Sequence, residues 1–240
     1  MSRIDIELVN RGLFKTRSRA MLAIKDGIIF CDGKKVLKGG LEVNENSIIE
    51  VKGKTLEYVS RGGLKLEKAI EHWNIDLNDK IMIDIGSSTG GFSDVAIRNN
   101  IGKIYAIDVG KDQFDKELAK DKRIILYENT DFRKIDISLI DDANFASIDV
   151  SFISVTKLID TLSKLKNLEL IVCLIKPQFE CGKEVADKYK GIIKDEEERK
   201  IAIEKVKNEF ERIGFNCKGV IKSPIKGGDG NTEYLALFER

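Results

Sequence analysis

IMIDIGSSTGGFSD, residues 81–94, sets an isoleucine-rich run directly before a loop, 86–91, that carries three glycines and three hydroxyl side chains. A short apolar run closed by glycine predicts a buried strand, and VAIRN beyond it predicts a helix. Working outward, apolar runs recur at 104–108 (IYAID), 124–127 (IILY), 145–149 (FASID) and 170–175 (LIVCLI), separated by helix-like stretches. Such alternation predicts an α/β, Rossmann-like domain, a parallel sheet covered on both faces. An acid-led helix over 195–213 and two strand-like runs, 215–222 and 232–238, predict a closing antiparallel pair.

In an open α/β sheet, ligands bind at the carboxyl ends of the strands where the strand order reverses. The loop lacks the lysine of a mononucleotide P-loop and the G-x-G-x-x-G spacing of a dinucleotide fingerprint. What remains is D-x-G-x-x-x-G-G, with Asp84 on the strand and Asp108 ending the next one, where an acid can receive ribose hydroxyls. This loop resembles the S-adenosylmethionine site of Rossmann-like methyltransferases, which implies Asp84, Gly86, Ser87, Ser88, Thr89, Gly90, Gly91, Phe92 and Asp108 as cofactor-binding residues. A cofactor without phosphates needs no lysine there.

The N-terminal stretch differs in kind. Ile4, Ile6, Leu8 and Val9 form a short amphipathic pattern stopped by Gly12, and Thr16 caps a second helix that ends at Asp26-Gly27. IIFCDGKKV then folds over Asp32-Gly33 as a hairpin, and SIIEV supplies another strand. Arg11, Lys15, Arg17, Arg19 and Lys25 follow one another without an acid between them, a local basic patch suited to phosphates. The stretch LVNRGLFKTRSRAMLAIKDGIIFCDGKKV, within Arg3–Val51, resembles the S4 RNA-binding domain. It implies Arg3, Arg11, Lys15, Arg17, Arg19 and Lys25 as RNA-binding residues. Asp32 stands where that family usually has Asn, and either residue suits the turn. The expected organisation is an S4-like domain over 1–55, a linker over 56–61 and a methyltransferase domain over 62–240.

Composition narrows the class. With 42% hydrophobic and 34% charged residues, and no run near the ~18 apolar residues of a membrane helix, a soluble cytoplasmic protein is expected, without membrane partner. Four cysteines far apart and a lone His72 offer neither zinc-ligand spacing nor a disulfide framework, so no metal is expected. His72 beside Trp73 reads as structural rather than as a catalytic base.

SRGGLKL (60–66), IDVSFIS (148–154), LIKPQFECGK (174–183) and GNTEYLALFE (230–239) point to the acceptor. Asp149 and Lys176 each end a predicted strand, facing the same crevice as the cofactor loop. Methylating a ribose hydroxyl needs a group that orients it and removes its proton, and a lysine among charged neighbours can serve. In combination these segments resemble the hemolysin A (TlyA-type) ribosomal RNA methyltransferases, an S4 domain joined to an FtsJ-like 2′-O-methyltransferase domain, over essentially the whole chain. The resemblance implies Lys65, Asp149, Lys176 and Glu233 as a catalytic tetrad. It also implies S-adenosylmethionine as cofactor and cytidine ribose in 16S and/or 23S ribosomal RNA, within 30S and/or 50S subunits, as substrate. The family's E-x-T-N-x-R reads ENTDFR here, so Asp131 replaces an Asn near the cofactor and can accept but not donate a hydrogen bond. Competing readings are a pore-forming hemolysin, an inactive RNA-binding assembly factor and a pseudouridine synthase. The last has no use for the glycine loop.

Overall fold

A computed structural model describes residues 1–14, 16–53 and 57–240 of the chain. Lys15, placed in the basic patch, and residues 54–56, which span the end of the expected first domain and the first residue of the linker, lie outside the described residues. The chain divides into two compact units, Met1–Ser60 and Arg61–Arg240.

In the first unit, β1 (Ser2–Arg3) leads into α1 (Ile4–Asn10), and α2 (Arg17–Lys25) follows after Gly12. Thr16 caps α2 by accepting a hydrogen bond from the Arg19 N–H. Three strands, β2 (Ile29–Cys31), β3 (Lys34–Lys35) and β5 (Ile49–Val51), pair antiparallel in the order β3-β2-β5, while β4 (Glu42–Val43) pairs with β1. Asp32 and Gly33 both take positive φ, the geometry that matches the twist of a two-residue hairpin. The Asp32 carboxylate also accepts from the Ile48 N–H at 2.8 Å, so the residue pins the neighbouring strand as well as making the turn. Ile4, Leu8, Ala20, Ile24, Ile29 and Val36 close a small core of their own.

The second unit is built on a seven-stranded sheet. Helix α3 (Gly63–Trp73) precedes β6 (Ile81–Ile85), α4 (Gly91–Arg98) and β7 (Lys103–Ile107). Then come β8 (Ile124–Tyr127), β9 (Phe145–Ile148), α5 (Ile159–Leu162), β10 (Leu170–Ile175), α6 (Pro177–Glu180) and α7 (Lys183–Lys188). Helix α8 (Glu196–Arg212) leads to β11 (Asn216–Lys222) and β12 (Tyr234–Glu239). Strand order is β11-β12-β10-β9-β6-β7-β8, parallel from β8 to β10, with β12 antiparallel to β10 and β11 antiparallel to β12. The chain therefore moves outward from β6 to β8 and returns to lay β9 on the other side of β6. The expected parallel sheet and its closing antiparallel pair are both present.

The crossovers after β7 and β8 differ from the expected helices. Only short 3-10 turns, Leu118–Lys120, Phe132–Lys134 and Ile137–Leu139, form there. The reason lies in the acids of 108–136. Asp115, Asp131 and Asp136 each turn a carboxylate onto backbone N–H groups two or three residues ahead, which favours tight turns over a continuing helix.

Helix α8 forms as its composition dictates. Asp195 accepts from the N–H groups of Glu197 and Glu198, three glutamates occupy the first turn, and Ala202, Val206 and Phe210 form the buried stripe at fourfold spacing. Phe210 stacks on Phe238 of β12 with ring centroids 4.1 Å apart and meets Phe215 edge-on. Among the described residues no helix is long and apolar enough to cross a membrane. Because Phe210 is wholly buried between two rings, Phe210→Ala should cost about 3–5 kcal/mol of stability, read as a lower urea midpoint with an unchanged slope.

Candidate active site

At the switch point, β6 and β9 lie side by side and their carboxyl ends open one crevice. Gly86, the first residue after β6, has φ +83°, and a Cβ there would stand 2.6 Å from the carbonyl oxygen of Asp149. Only glycine permits that approach. The Gly86 and Ser87 N–H groups donate to the Ile107 carbonyl, so the loop is fastened to β7. Ser88 takes φ +48° and its N–H donates to Asp108 Oδ2 at 2.8 Å, while Gly110 N–H donates to Oδ1 at 2.6 Å. Asp108 thus ties two loops together and still holds free lone pairs toward the crevice.

A cavity of about 550 Å³ occupies the crevice. Of the residues expected to bind a cofactor, Gly86, Ser88, Asp108 and Asp131 line it, whereas Asp84, Ser87, Thr89, Gly90, Gly91 and Phe92 do not. Asp84 lies beneath the loop, 1% exposed, its two oxygens accepting the hydroxyls of Ser93 and Ser147 at 2.7 and 2.8 Å. Gly90, with φ +88°, packs against Phe114 and Leu118, where a Cβ would clash. Asp131 caps the following 3-10 turn and is held by Arg133 through both oxygens, at 2.9 and 2.7 Å. The Arg133 ion pair keeps its carboxyl below the usual range.

Sequence reasoning missed the apolar walls of the cavity, Ile107, Val109, Phe132 and Val150. Val109 carried a signal, being an aliphatic residue directly after the acid that ends a strand. Three acids, Asp108, Asp131 and Asp149, line this space together with Arg133, which pairs with Asp131. Such a lining disfavours phosphates and suits a flat apolar group joined to hydroxyls and a positive centre, which are the parts of S-adenosylmethionine. The residues present fit that cofactor.

Beside the cavity, four segments bring the expected tetrad together. Lys65 comes from α3, Asp149 follows β9, Lys176 follows β10 as the cap before Pro177, and Glu233 precedes β12. Lys176 Nζ lies 2.6 Å from Asp149 Oδ1, and Lys65 Nζ lies 3.3 Å from Oδ2 and 2.9 Å from Glu233 Oε2. Both lysines are 7% exposed and Glu233 is 3% exposed, while the Asp149 side chain is 20% exposed toward the cavity, so this is a largely buried chain of alternating charge. Burial pushes the Asp149 carboxyl up, but the ammonium groups of Lys176 and Lys65 outweigh it and hold the group below its ordinary value. Lys176 also donates to Ser151 Oγ at 2.8 Å. Gly227 backs the cluster, since a Cβ there would meet Glu233 Oε1 at 2.5 Å.

Residues 58–240 match the FtsJ-like methyltransferase family. The chain belongs to it. Among relatives of this FtsJ-like protein, the Bacillus subtilis protein provisionally named rRNA methyltransferase YqxC is 42% identical, covering 97% of this chain and 84% of its own. The 23S rRNA (cytidine-2′-O)-methyltransferase TlyA of Campylobacter jejuni is 36% identical, covering 96% of both chains. A solved structure from Streptococcus thermophilus, provisionally named a hemolysin, superposes with a TM-score of 0.77 at 39% identity, covering all of this chain and 88% of that one.

The residues expected to bind RNA occupy the first unit in two ways. Arg3 and Arg17 both pair with the buried Asp5, at 3.0 and 2.7 Å, yet remain about half exposed at 51% and 58%. Arg11 instead pairs with Glu7 and donates to the carbonyls of Asn44, Glu45 and Ser47, closing the β4–β5 connection. Arg19 reaches the Glu57 carbonyl, and Lys25 is exposed in the last turn of α2. His72 is exposed near the end of α3, edge-on to Trp73.

Asp84 gives the FtsJ-like unit a testable pH signature. Burial raises its carboxyl from 3.8 to about 6, against the pull of the Ser93 and Ser147 hydroxyls. A folded pKa above the unfolded one means the native state holds the extra proton between about pH 4 and 6. This contribution to stability is therefore full below pH 4 and is lost as pH rises through 6, by about 3 kcal/mol. Urea unfolding at pH 4.5 and 7.0 should show it, and Asp84→Asn should flatten that part of the profile.

Proposed function

We propose that the chain is an S-adenosylmethionine-dependent ribosomal RNA 2′-O-methyltransferase that acts on the ribose of cytidine in 16S and/or 23S RNA. Its first unit serves as an S4-like RNA-binding domain. The observation that carries this reading is the meeting, at one switch point, of an acid-lined cavity with the largely buried Lys176–Asp149–Lys65–Glu233 chain. S-adenosylmethionine, when bound, supplies an electrophilic methyl group on a positively charged sulfur.

The residues divide the remaining work. Asp108 accepts ribose hydroxyls, Gly86 and Ser88 let backbone approach, and Val109 and Phe132 supply apolar walls. Lys176, in its neutral form, would take the proton of the target 2′-OH as the oxygen bonded to the methyl carbon and the methyl–sulfur bond broke. Lys65 joins two carboxylates, whereas Lys176 faces one carboxylate and the neutral Ser151 hydroxyl. Lys176 is therefore the lysine whose nitrogen can work as a base while the cluster stays together. Asp149 orients it, and Glu233 holds Lys65 against Asp149 so that the carboxylate is bridged from both sides. Phe152, 93% exposed at the rim with φ +64°, offers its ring to a base unstacked from the RNA. Arg3, Arg17, Arg19 and Lys25 offer charge to phosphates, whereas Arg11 serves chiefly to close its own unit.

Labelled methyl transfer to purified 30S and 50S subunits from a strain lacking the enzyme, followed by nucleoside mass spectrometry, tests the reading. The expected product is 2′-O-methylcytidine; no binding of S-adenosylmethionine by calorimetry would overturn the proposal. Lys176→Ala should lower kcat by on the order of 10²–10⁴-fold with cofactor affinity kept. Activity within a few-fold of wild type would remove Lys176 from the base role. Replacing Arg17 and Arg19 by Gln should weaken RNA binding and reduce its salt dependence by about one unit of slope per lost phosphate contact, leaving cofactor binding unchanged.

A further inference from the structure

Three cross-links, in the same order along both segments, join the loop after β9 to the turn after β10. Lys176 donates to Ser151, the Phe179 ring approaches the exposed Phe152 ring with centroids 5.4 Å apart, and the Glu180 carboxylate accepts from the Ser154 hydroxyl and from the Val155 N–H at 2.8 Å. The third link is the unusual one. Glu180 is 1% exposed, and both oxygens face neutral donors on that one loop; its own carbonyl is held by Lys205 of α8 at 2.8 Å. A buried carboxylate facing neutral donors costs stability relative to an apolar residue, unlike the ion-paired carboxylates of the tetrad.

The loop it grips is strained. Phe152 is an aromatic residue in the left-handed region with its side chain exposed, a strained conformation that persists only when the surrounding backbone is held. Ser151, one residue earlier, is a partner of Lys176, and Asp149 lies two residues before that. A loop that relaxed at Phe152 would move the groups that orient the lysine.

We infer that Glu180 is a positioning residue for methyl transfer: its carboxylate clamps Ser154 and Val155, which fixes the strained 150–153 loop and keeps Ser151 and Asp149 on Lys176. The inference rests on the proposed function.

The test uses the full chain with Glu180→Ala, Glu180→Gln and Ser154→Ala, assayed on ribosomal subunits with both substrates saturating. Glu180→Ala should lower kcat by about tenfold or more while cofactor Kd by calorimetry stays within about twofold, because the displaced groups serve the proton transfer and not the cavity. Glu180→Gln keeps an acceptor for Val155 and can donate to Ser154, so it should recover most of kcat, and Ser154→Ala should fall between the two. If Glu180→Ala fails to fold, the drop in kcat of Ser154→Ala at unchanged cofactor affinity carries the test. Wild-type kcat in Glu180→Ala, or in Ser154→Ala in that case, would overturn the inference, as would a loss of cofactor affinity equal to the loss of kcat. A wild-type enzyme that transfers no methyl group to RNA would instead overturn the proposed function, which keeps the two failures apart.

Discussion

A side chain at position 86 would press its Cβ to 2.6 Å from the Asp149 carbonyl, and this backbone approach governs the second unit. It brings the glycine-rich loop after β6 against the loop after β9 that carries Asp149. The cavity and the tetrad share a wall for that reason, and a methyl donor and a hydroxyl can meet across it. The parallel pairing of β6 with β9, Asp84 opposite Ser147 and Ile85 opposite Ile148, fixes how far each loop starts from the other. Asp84 then bonds Ser147 across the pair and Ser93 on α4, so one buried carboxylate braces strand, neighbour and helix beneath the loop.

Charge balance is the second constraint. Lys65, Asp149, Lys176 and Glu233 sum to zero, and each ion is bonded to an opposite one, so the chain tolerates burial. Removing Lys65 or Asp149 leaves Glu233 or Lys176 without its partner, and removing either end member leaves the cluster with a net charge, which couples stability to the chemistry. Gly227 contributes without any functional group: its missing side chain lets Glu233 sit where it reaches Lys65.

Much of this was legible along the chain. The strand runs at 81–85 and 170–175 fall on β6 and β10, and the acid-led helix is α8, because apolar periodicity and capping are local properties. Lys65, Asp149, Lys176 and Glu233 were legible as candidates because two end strands and a family resemblance supplied the others. Partnerships across the sheet were not legible. Asp84 reads as a cofactor ligand by position, yet its oxygens are consumed by Ser93 and Ser147, the latter 63 residues away. The acid-rich crossovers read as helices until their carboxylates are seen closing turns.

Arg11 and Arg17 show why charge alone misleads. Both lie in one basic run, and composition treats them alike. Arg11 spends its donors on three backbone carbonyls and Glu7, leaving its side chain 27% exposed, so its removal unmakes the unit before it touches any ligand. Arg17 meets the buried Asp5 through one nitrogen and keeps 58% of its side chain in solvent. Asp5, shared with Arg3, is held down at about 2, chiefly by the Arg3 hydrogen bonds, and stays ionised wherever RNA would be bound. An anchored guanidinium with free donors gives up less conformational entropy on meeting a phosphate than a free one. Preorganisation of this kind, more than the number of cations, sets Arg17 apart from the structural Arg11.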